Sequence, residues 1–462
     1  MSSHSVKAKA FLKNGSRASW HDKALYAVRE KRDKQAYSLP EWEELRSAAS
    51  AIKEHTLSHL AEYLEEFERN ATANGIKVHW AETGEAMNEI VAAIIAERGA
   101  KHLVKSKSML AEECHLAPYL EEHGVEVVES DLGERIVQLM HCAPSHIVLP
   151  AIHIKREEVG ELFERELSTE KGNSDPTYLT HEARKHLREK FLSADVSMTG
   201  VNFAIAEEGA FAVCTNEGNA DMGTSFTSTH IAIMGLEKVI PDMASLGVFT
   251  RLLARSATGQ PITTYTSIYR KPEEGKEIHL IIVDNGRTQS LADEEHRNML
   301  KCMRCGACMN TCPVYRRTGG YSYSYFIPGP LGINLGMLRS PEAYGGNVSG
   351  CSLCYSCSGV CPAKVDLAEQ IYKWRQQIYK WRQQMSPLGV ADGKKKLMVK
   401  AMNLLMRNPR LFNTALAVVP YVPRPIYNNS INPWYASGRE MPHFAAKSFR
   451  VLWREGVVKK EA

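Results

Sequence analysis

Eight of the 11 cysteines fall into two copies of one spacing, C-x2-C-x2-C-x3-C-P. The first copy is Cys302, Cys305, Cys308 and Cys312, followed by Pro313, and the second is Cys351, Cys354, Cys357 and Cys361, followed by Pro362. Segments with this spacing hold [4Fe–4S] clusters through their thiolates, and the fourth cysteine of each run binds the cluster of the other run. The spacing therefore predicts two [4Fe–4S] clusters and a chain that transfers electrons.

Crossing the fourth ligands divides the eight cysteines into two sets. The first ligand set is Cys302, Cys305, Cys308 and Cys361, and the second ligand set is Cys351, Cys354, Cys357 and Cys312. Three thiolates two residues apart allow one tight loop to wrap three corners of a cluster. The proline after each fourth cysteine suits the first turn of a helix, where no N–H donor is needed.

Two other uses of these cysteines are weaker. A structural zinc site usually shows two separated C-x2-C pairs, and a disulfide framework is typical of secreted chains. Cys114, Cys142 and Cys214 lie outside both runs, and we expect them to be buried, inert thiols.

Length and composition set limits on the fold. The 462 residues are enough for two or three domains, and a net charge of +4 does not by itself indicate a nucleic-acid partner. The first 20 residues lack the apolar core of a signal peptide. No apolar run reaches the roughly 18 residues that a membrane span needs. We expect a cytoplasmic protein.

Four regions can be distinguished from the sequence pattern. Residues 1–70 are charged and helical and predict an N-terminal arm that packs on the next region of the chain. Residues 71–290 alternate strands with helices and predict an α/β domain with a mostly parallel sheet. The predicted strands are 76–80, 102–104, 125–128, 146–149, 202–206, 210–214, 230–234 and 279–283, with helices at 83–97, 110–123 and 243–256.

Residues 291–385 form the predicted cluster domain, and residues 386–462 form a C-terminal tail. The stretch 313–350 is rich in Gly, Tyr and Pro and predicts an ordered loop rather than helix. The heptad at 371–377 is repeated unchanged at 378–384, which lengthens a helix by about 10 Å with little change of phase. The tail is basic at Lys394–Lys396 and amphipathic, which favours an apolar face against the core, with a partner subunit or membrane surface as the alternative.

Several stretches resemble the LutB-type iron–sulfur subunit of bacterial L-lactate utilisation systems (LutB/YkgF family). The matching stretches are 104–109, 129–134, 144–148, 199–219, 283–287 and 304–313, and their order along the chain agrees with that family. The resemblance runs from about residue 40 to 380. The cysteine runs alone would be shared with many ferredoxin-like subunits, so the other stretches make the resemblance specific.

The resemblance implies a fold and a function. Residues near 70–290 would form a LUD (lactate utilisation) domain, an α/β fold similar to NagB, RpiA and CoA-transferase proteins, joined to a helical two-[4Fe–4S] ferredoxin-like domain. The chain would carry electrons for two companion subunits, a Cys-Cys-Gly-motif protein and a smaller LUD protein, in oxidation of L-lactate to pyruvate. Alternatively, the LUD domain itself binds the 2-hydroxy acid and is catalytic, or the chain is a redox-sensing scaffold.

The α/β region carries few motifs of its own, with no GxGxxG after a strand and no P-loop. Lys105, Ser106, Lys107 and Ser108 follow a predicted strand and could hold an anionic ligand, or they are surface charges on a loop. Asp131 and Glu134 favour a helix N-cap with its first-turn acid. The segment 215–219 is a site rim or a turn, and 284–287 is a turn. His146, His153 and His230 are expected to be satisfied core or loop histidines rather than bases.

Overall fold

The computed structural model describes residues 4–385, 393–429, 432, 435 and 443–457. The chain begins with four helices: α1 (His4–Leu12), α2 (Gly15–Tyr37), α3 (Trp42–Ser58) and α4 (Leu60–Ala73). Asn14 starts α2 by accepting a hydrogen bond from the backbone N–H of Arg17. In α4, Leu60, Leu64, Phe67 and Ala71 lie on one face at helical spacing and are buried.

The next region contains ten strands: β1 (Lys77–Ala81), β2 (His102–Lys105), β3 (Glu126–Glu129), β4 (Val196–Gly200), β5 (Phe203–Ile205), β6 (Ala210–Thr215), β7 (Thr229–Gly235), β8 (Val239–Ile240), β9 (Tyr265–Tyr269) and β10 (Glu277–Val283). Six of them form an all-parallel sheet in the order β1-β10-β7-β4-β2-β3. All residues of β7 are buried, as expected where helices cover both faces of a parallel sheet.

The helices that flank this sheet are α5 (Gly84–Glu97), α6 (Met109–Glu113), α7 (Leu116–Glu122), α8 (Leu132–Leu139), α9 (Arg156–Leu167), α10 (Pro176–Ser193), α11 (Asn219–Phe226), α12 (Met243–Ala257) and α13 (Arg287–Ala292). Thr83 caps α5 through its side chain, which accepts a hydrogen bond from the Ala86 N–H. A smaller sheet, β8-β5-β6-β9, contains the antiparallel β5–β6 hairpin, whose two strands the sequence predicts. At its turn Gly209 adopts φ +55°, and a Cβ there would lie 2.3 Å from the backbone of Asn70.

The predicted strand at 146–149 is wrong: this segment consists of bends and irregular backbone. The Nδ1 atom of His146 accepts hydrogen bonds from the backbone N–H groups of Val148 (3.0 Å) and Leu149 (3.1 Å). Local bonds of this kind turn the backbone away from an extended strand.

The cysteine region contains α14 (Ala307–Thr311), α15 (Pro313–Thr318), α16 (Gly329–Arg339), α17 (Pro341–Tyr344), α18 (Ser356–Val360) and α19 (Leu367–Met385). The prediction that 313–350 forms an ordered loop is therefore wrong, because α15, α16 and α17 lie within it. Its prolines begin the helices rather than interrupt them. Its glycines permit close packing, since a Cβ on Gly332 would lie 1.5 Å from the carbonyl oxygen of Ile327.

Helix α19 continues through both copies of the repeated heptad. Ile371 and Trp374 of the first copy are buried, whereas Trp381 of the second copy is 38% exposed. The second copy therefore continues the helix in the same phase, but its tryptophan lies beyond the buried core.

The tail contains α20 (Gly393–Arg407), α21 (Pro409–Val418), α22 (Arg424–Tyr427) and α23 (Phe449–Arg454). Residues 386–392 and the side chains of Lys394–Lys396 lie outside the described part. The expectation of an apolar face packed against the core is wrong for the described apolar side chains of α20 and α21, since most are exposed: Leu397, Val399, Met402, Leu404, Met406 and Leu411. Among the described residues, no helix is long and apolar enough to cross a membrane.

Candidate iron–sulfur centre and adjoining cavity

The two cysteine loops have the same backbone conformation. The second and fourth residues after the first cysteine of each run are left-handed: Arg304 (φ +60°) and Gly306 (φ +76°), Leu353 (φ +53°) and Tyr355 (φ +59°). This conformation is unfavourable for residues other than glycine. In both loops it directs a backbone N–H at the first sulfur, at 3.4 Å from Arg304 to Cys302 and 3.3 Å from Leu353 to Cys351. Two separate segments thus adopt one sulfur-binding turn.

The two fourth cysteines lead into different local structures. Cys312 is the N-cap of α15, and its sulfur accepts a hydrogen bond from the Tyr315 N–H at 3.5 Å, as predicted. After Cys361 the predicted helix start is wrong, because Pro362 and Ala363 form a turn and α19 begins only at Leu367. The sulfur of Cys361 accepts instead from the Val365 N–H at 3.2 Å.

The cysteine side chains are arranged in the two predicted groups. Burial, together with the charges of Cys361 and Cys302, raises the pKa of Cys305 to about 12. Burial, together with the charges of Cys312 and Cys351, likewise raises the pKa of Cys357 to about 12. Each fourth cysteine therefore interacts with the loop of the other run. The assignment of these eight residues as iron ligands stays a prediction, and the arrangement supports it.

The site suits an iron–sulfur cluster better than a single metal ion. Clustered thiolates repel one another, and three cysteines of the first ligand set and two of the second are buried, so they need a bound cation to stay deprotonated. The repeated C-x2-C-x2-C-x3-C spacing is typical of [4Fe–4S] ligands, whereas structural zinc sites usually show two separated C-x2-C pairs. The residues present therefore fit [4Fe–4S] clusters.

Two buried arginines and one half-buried arginine hold the second cysteine loop. Arg46, in α3, donates to the carbonyl oxygens of Cys361 (3.0 Å) and Gly359 (2.9 Å), and Arg32, in α2, donates to that of Val360 (2.9 Å). Arg375, in α19, donates to the carbonyl oxygen of Val348 at 3.0 Å. These cations hold the ligand loop and favour the negative charge of a thiolate-bound cluster.

A cavity of about 380 Å³ separates the first cysteine loop from the parallel sheet. It lies at the carboxyl ends of β2, β4 and β7, which is the usual ligand position in open α/β sheets. Met303, Arg304 and Cys305 close it on the opposite side. Its charged side chains include Lys107, Glu217, Glu237, Lys238, Arg287 and Arg304. A ligand in this cavity would therefore lie against a member of the first ligand set.

The predicted anionic-ligand segment divides between this cavity and the protein interior. Ser106, Lys107 and Ser108 line the cavity. Lys105 does not line it: the side chain is 1% exposed and forms an ion pair with Glu129 at 2.6 Å. In β2 and β3 these two residues are direct partners. The anion-site prediction therefore fails for Lys105 and stays a prediction for the other three residues.

Charged side chains in the cavity wall form a network of ion pairs. Arg287 donates to Glu237 at 2.6 Å and to both oxygens of Glu113 at 3.1 Å. Burial alone would raise the pKa of Glu237, but Arg287, Lys238 and Arg304 outweigh it and lower the pKa to about 2. The sequence presents Arg287 only as part of a turn and gives no sign of the roles of Glu237, Lys238 and Arg304. The position of Arg304 between two cysteines was the one available signal.

The other candidate residues have structural roles, apart from the 215–219 segment. Asp131 caps α8 through the backbone N–H of Glu134 at 3.1 Å, as favoured from the sequence. Burial lowers the pKa of His146 and His230 to about 3 and that of His153 to about 4, so all three are neutral; His146 and His230 lie in the core, and His153 lies in a half-buried loop. The 215–219 segment supplies Thr215, Asn216, Glu217 and Asn219 to the cavity wall.

Comparison with known proteins identifies both parts of the chain. Residues 64–289 match the LUD domain family, and residues 298–365 match the 4Fe-4S dicluster domain family. "Lactate utilization protein B" of Geobacillus thermodenitrificans is 42% identical over 83% of this chain and 81% of its own length. "Uncharacterized electron transport protein YkgF" of Escherichia coli is 36% identical over 92% of this chain and 90% of its own length. A crystal structure of a DUF162 family protein from Deinococcus radiodurans covers 48% of this chain and 98% of its own, with 13% identity and a TM-score of 0.27.

Proposed function

The chain belongs to the lactate utilization protein B family, and we propose that it is the iron–sulfur electron-transfer subunit of a multi-subunit system that oxidises L-lactate to pyruvate. The observation that carries the proposal is that the two cysteine loops share one conformation and that each fourth cysteine lies near the loop of the other run. The name of the Escherichia coli relative, an electron transport protein, supports the same role. Growth on lactate would depend on this oxidation.

The number of ligand sets suits the chemistry. Oxidation of a 2-hydroxy acid to a 2-oxo acid releases two electrons and two protons. Bound [4Fe–4S] clusters would supply one-electron acceptor chemistry at each ligand set. Cys305 borders the cavity, whereas Cys354, in the second set, is exposed at the surface. The chain therefore presents one set to its interior cavity and the other to a partner.

The proposed partners are two companion subunits, a Cys-Cys-Gly-motif protein and a smaller LUD protein. The exposed apolar side chains of α20 and α21 provide surface that a partner subunit would cover. A second candidate function, in which this chain itself oxidises the acid, is favoured by the contact between the cavity and Cys305.

The test is anaerobic purification with iron and sulfide analysis, followed by EPR spectroscopy after addition of L-lactate, with and without the companion subunits. Iron content close to two clusters per chain and reduction only in the presence of the companions would support the electron-transfer role. Reduction by lactate with this chain alone would transfer the chemistry to its own α/β domain. A chain that binds no iron after anaerobic reconstitution would overturn both functions.

A further inference from the structure

Two cations at the cluster end of the cavity lack close partners. The Nη1 atom of Arg304 is buried without a hydrogen-bond partner, and its Nη2 atom forms a long ion pair with Glu237 at 3.8 Å. Lys238 is half-buried in the same wall; the charges of Glu237 and Cys302 act on it, but among the described residues its amine has no hydrogen bond or ion pair at contact distance. Arg287, by contrast, pairs with two glutamates, and Lys107 lies 3.3 Å from Glu134 without hydrogen-bond geometry.

The charge at this end favours one negative charge on a ligand. Among the lining side chains at this end, three cations (Arg287, Arg304 and Lys238) face two carboxylates (Glu113 and Glu237), an excess of one positive charge that a ligand shares with the thiolates of the first ligand set. The opposite end contains Asp131 and Glu217 beside Lys107, and there burial raises the pKa of Glu217 to about 7, with Asp131 adding to the effect. A dianion would meet repulsion at that end, whereas a monoanion fits at the cluster end.

The rest of the wall suits a short carbon chain. Ile147, Val148, Leu253, Ala254 and Ile327 provide an apolar surface. The Oγ1 atom of Thr215 is buried in the same wall without a hydrogen-bond partner, so it can bond a hydroxyl or carbonyl oxygen of a ligand.

We propose that this cavity binds a short 2-hydroxy or 2-oxo monocarboxylic acid, with Arg304 and Lys238 as the ligands of its carboxylate. A guanidinium presents two parallel N–H donors that match a carboxylate, and an ammonium adds a second, flexible contact. The cavity also leaves room for acids longer than three carbons. The choice of lactate and pyruvate as probes rests on the proposed function, whereas the site itself rests on the cavity and its two weakly paired cations.

Arg304 gives this binding site a redox consequence. It lies between Cys302 and Cys305, and its backbone N–H donates to the sulfur of Cys302. A carboxylate on Arg304 cancels a positive charge beside the first ligand set, so the bound acid disfavours addition of an electron there. By linkage, the reduced protein binds the acid more weakly. A tenfold weaker affinity corresponds to a fall of 59 mV in the one-electron potential.

The test measures equilibrium binding to the full chain, loaded with iron and kept anaerobic. Radiolabelled L-lactate and pyruvate are the probes, and lactamide, which is neutral and of similar shape, is the competitor control. We expect Lys238→Met and Arg304→Gln to weaken binding at least tenfold and lactamide not to compete. Lys77→Met is the matched control, since Lys77 is an exposed lysine at the amino end of β1.

Iron analysis of each variant separates loss of the site from loss of the cluster. Retained iron with weakened binding in Lys238→Met, together with a potential that falls when lactate is added, supports the site. Wild-type affinity in Lys238→Met at full iron content overturns it. Lactate-dependent reduction in the complete system without lactate or pyruvate binding to this chain also overturns the site and leaves the electron-transfer role intact. Tight binding of lactate to this chain without any lactate-dependent reduction in the complete system supports the site and overturns the electron-transfer role.

Discussion

Lys105 offers a sharp test of whether a lysine at the end of a strand binds ligand or supports the fold. Its buried amine contacts Glu129 at 2.6 Å and Glu112 at 3.5 Å, and Glu129 is 7% exposed. Burial alone would lower the pKa of Lys105, but the charges of Glu129 and Glu112 outweigh it and raise the pKa. Lys105→Met removes this compensation and leaves Glu129 buried without a partner. Breaking a buried ion pair in this way costs about 3–5 kcal/mol.

The cost can be read as a change in melting temperature. The LUD region spans residues 64–289. For a unit of that size each kcal/mol shifts the melting temperature by about 2–4 °C, so we expect Lys105→Met to melt roughly 6–20 °C below wild type. Differential scanning fluorimetry of the iron-loaded chain at pH 8 is the measurement.

The deficit should depend on pH. Burial raises the pKa of Glu129 to about 7, and loss of Lys105 raises it further. A carboxyl whose pKa is higher in the folded than in the unfolded state destabilises the fold above its folded pKa, and this penalty disappears as the pH falls. We therefore expect the difference between Lys105→Met and wild type to be largest at pH 8 and clearly smaller at pH 6.

A double variant separates the ion pair from packing. Lys105→Met with Glu129→Leu removes both charges, and such replacements are often neutral, so much of the lost stability should return. Lys101→Met, which changes an exposed lysine just before β2, should cost far less. If Lys105→Met melts with wild-type stability and loses lactate binding, Lys105 is a ligand residue and the argument from burial is refuted.

Three further predictions concern other parts of the chain. Cys308→Ser should lower the iron content by roughly half, whereas Cys214→Ser, outside both ligand sets, should leave it unchanged; equal iron in both would overturn the ligand assignment. Trp374→Ala should lower the free energy of unfolding by about 3–5 kcal/mol, because Trp374 is 5% exposed and stacks on a histidine ring. Trp381→Ala in the second heptad should lower it by less than about 1 kcal/mol, and chemical denaturation measures both values. Burial lowers the pKa of His230 to about 3, so this histidine takes up a proton in the unfolded chain before it does so in the folded chain as the pH falls. Lowering the pH from 6.5 to 5 should therefore reduce the free energy of unfolding by about 2 kcal/mol through His230, and a His230→Gln variant should not show this loss.

The repeated spacing of the cysteines allowed the ligand groups to be predicted, because a cluster requires particular residue types at particular intervals. The buried strands β7 and β10 were also predictable, since each is a continuous apolar run between turn residues. The strand predicted at 146–149 failed for a local reason. Its apolar residues look like β-structure, but the His146 ring bonds the backbone N–H groups of Val148 and Leu149.

The side-chain partners could not be predicted, because they depend on which strands are neighbours. Whether Lys105 faces solvent or the interior is decided by its pairing with Glu129, which requires that β2 and β3 be adjacent. The two cations of the cavity depend on packing even more strongly. Lys238 follows β7 and Arg304 lies in a cysteine loop, so their proximity exists only when the two parts of the chain pack together.

The N-terminal helices show why the iron site extends beyond the segment that carries the cysteines. The carbonyl oxygens of residues 359–361 bond to Arg46 of α3 and Arg32 of α2, more than 300 residues earlier in the chain. A separate dicluster segment at 298–365 would leave these carbonyl groups without their buried donors. A buried polar group without a partner costs about 1–3 kcal/mol, and the lost positive charge would further disfavour the thiolates. The sequence pattern treats the first 70 residues as an arm, but their arginines make α2 and α3 part of the candidate iron site.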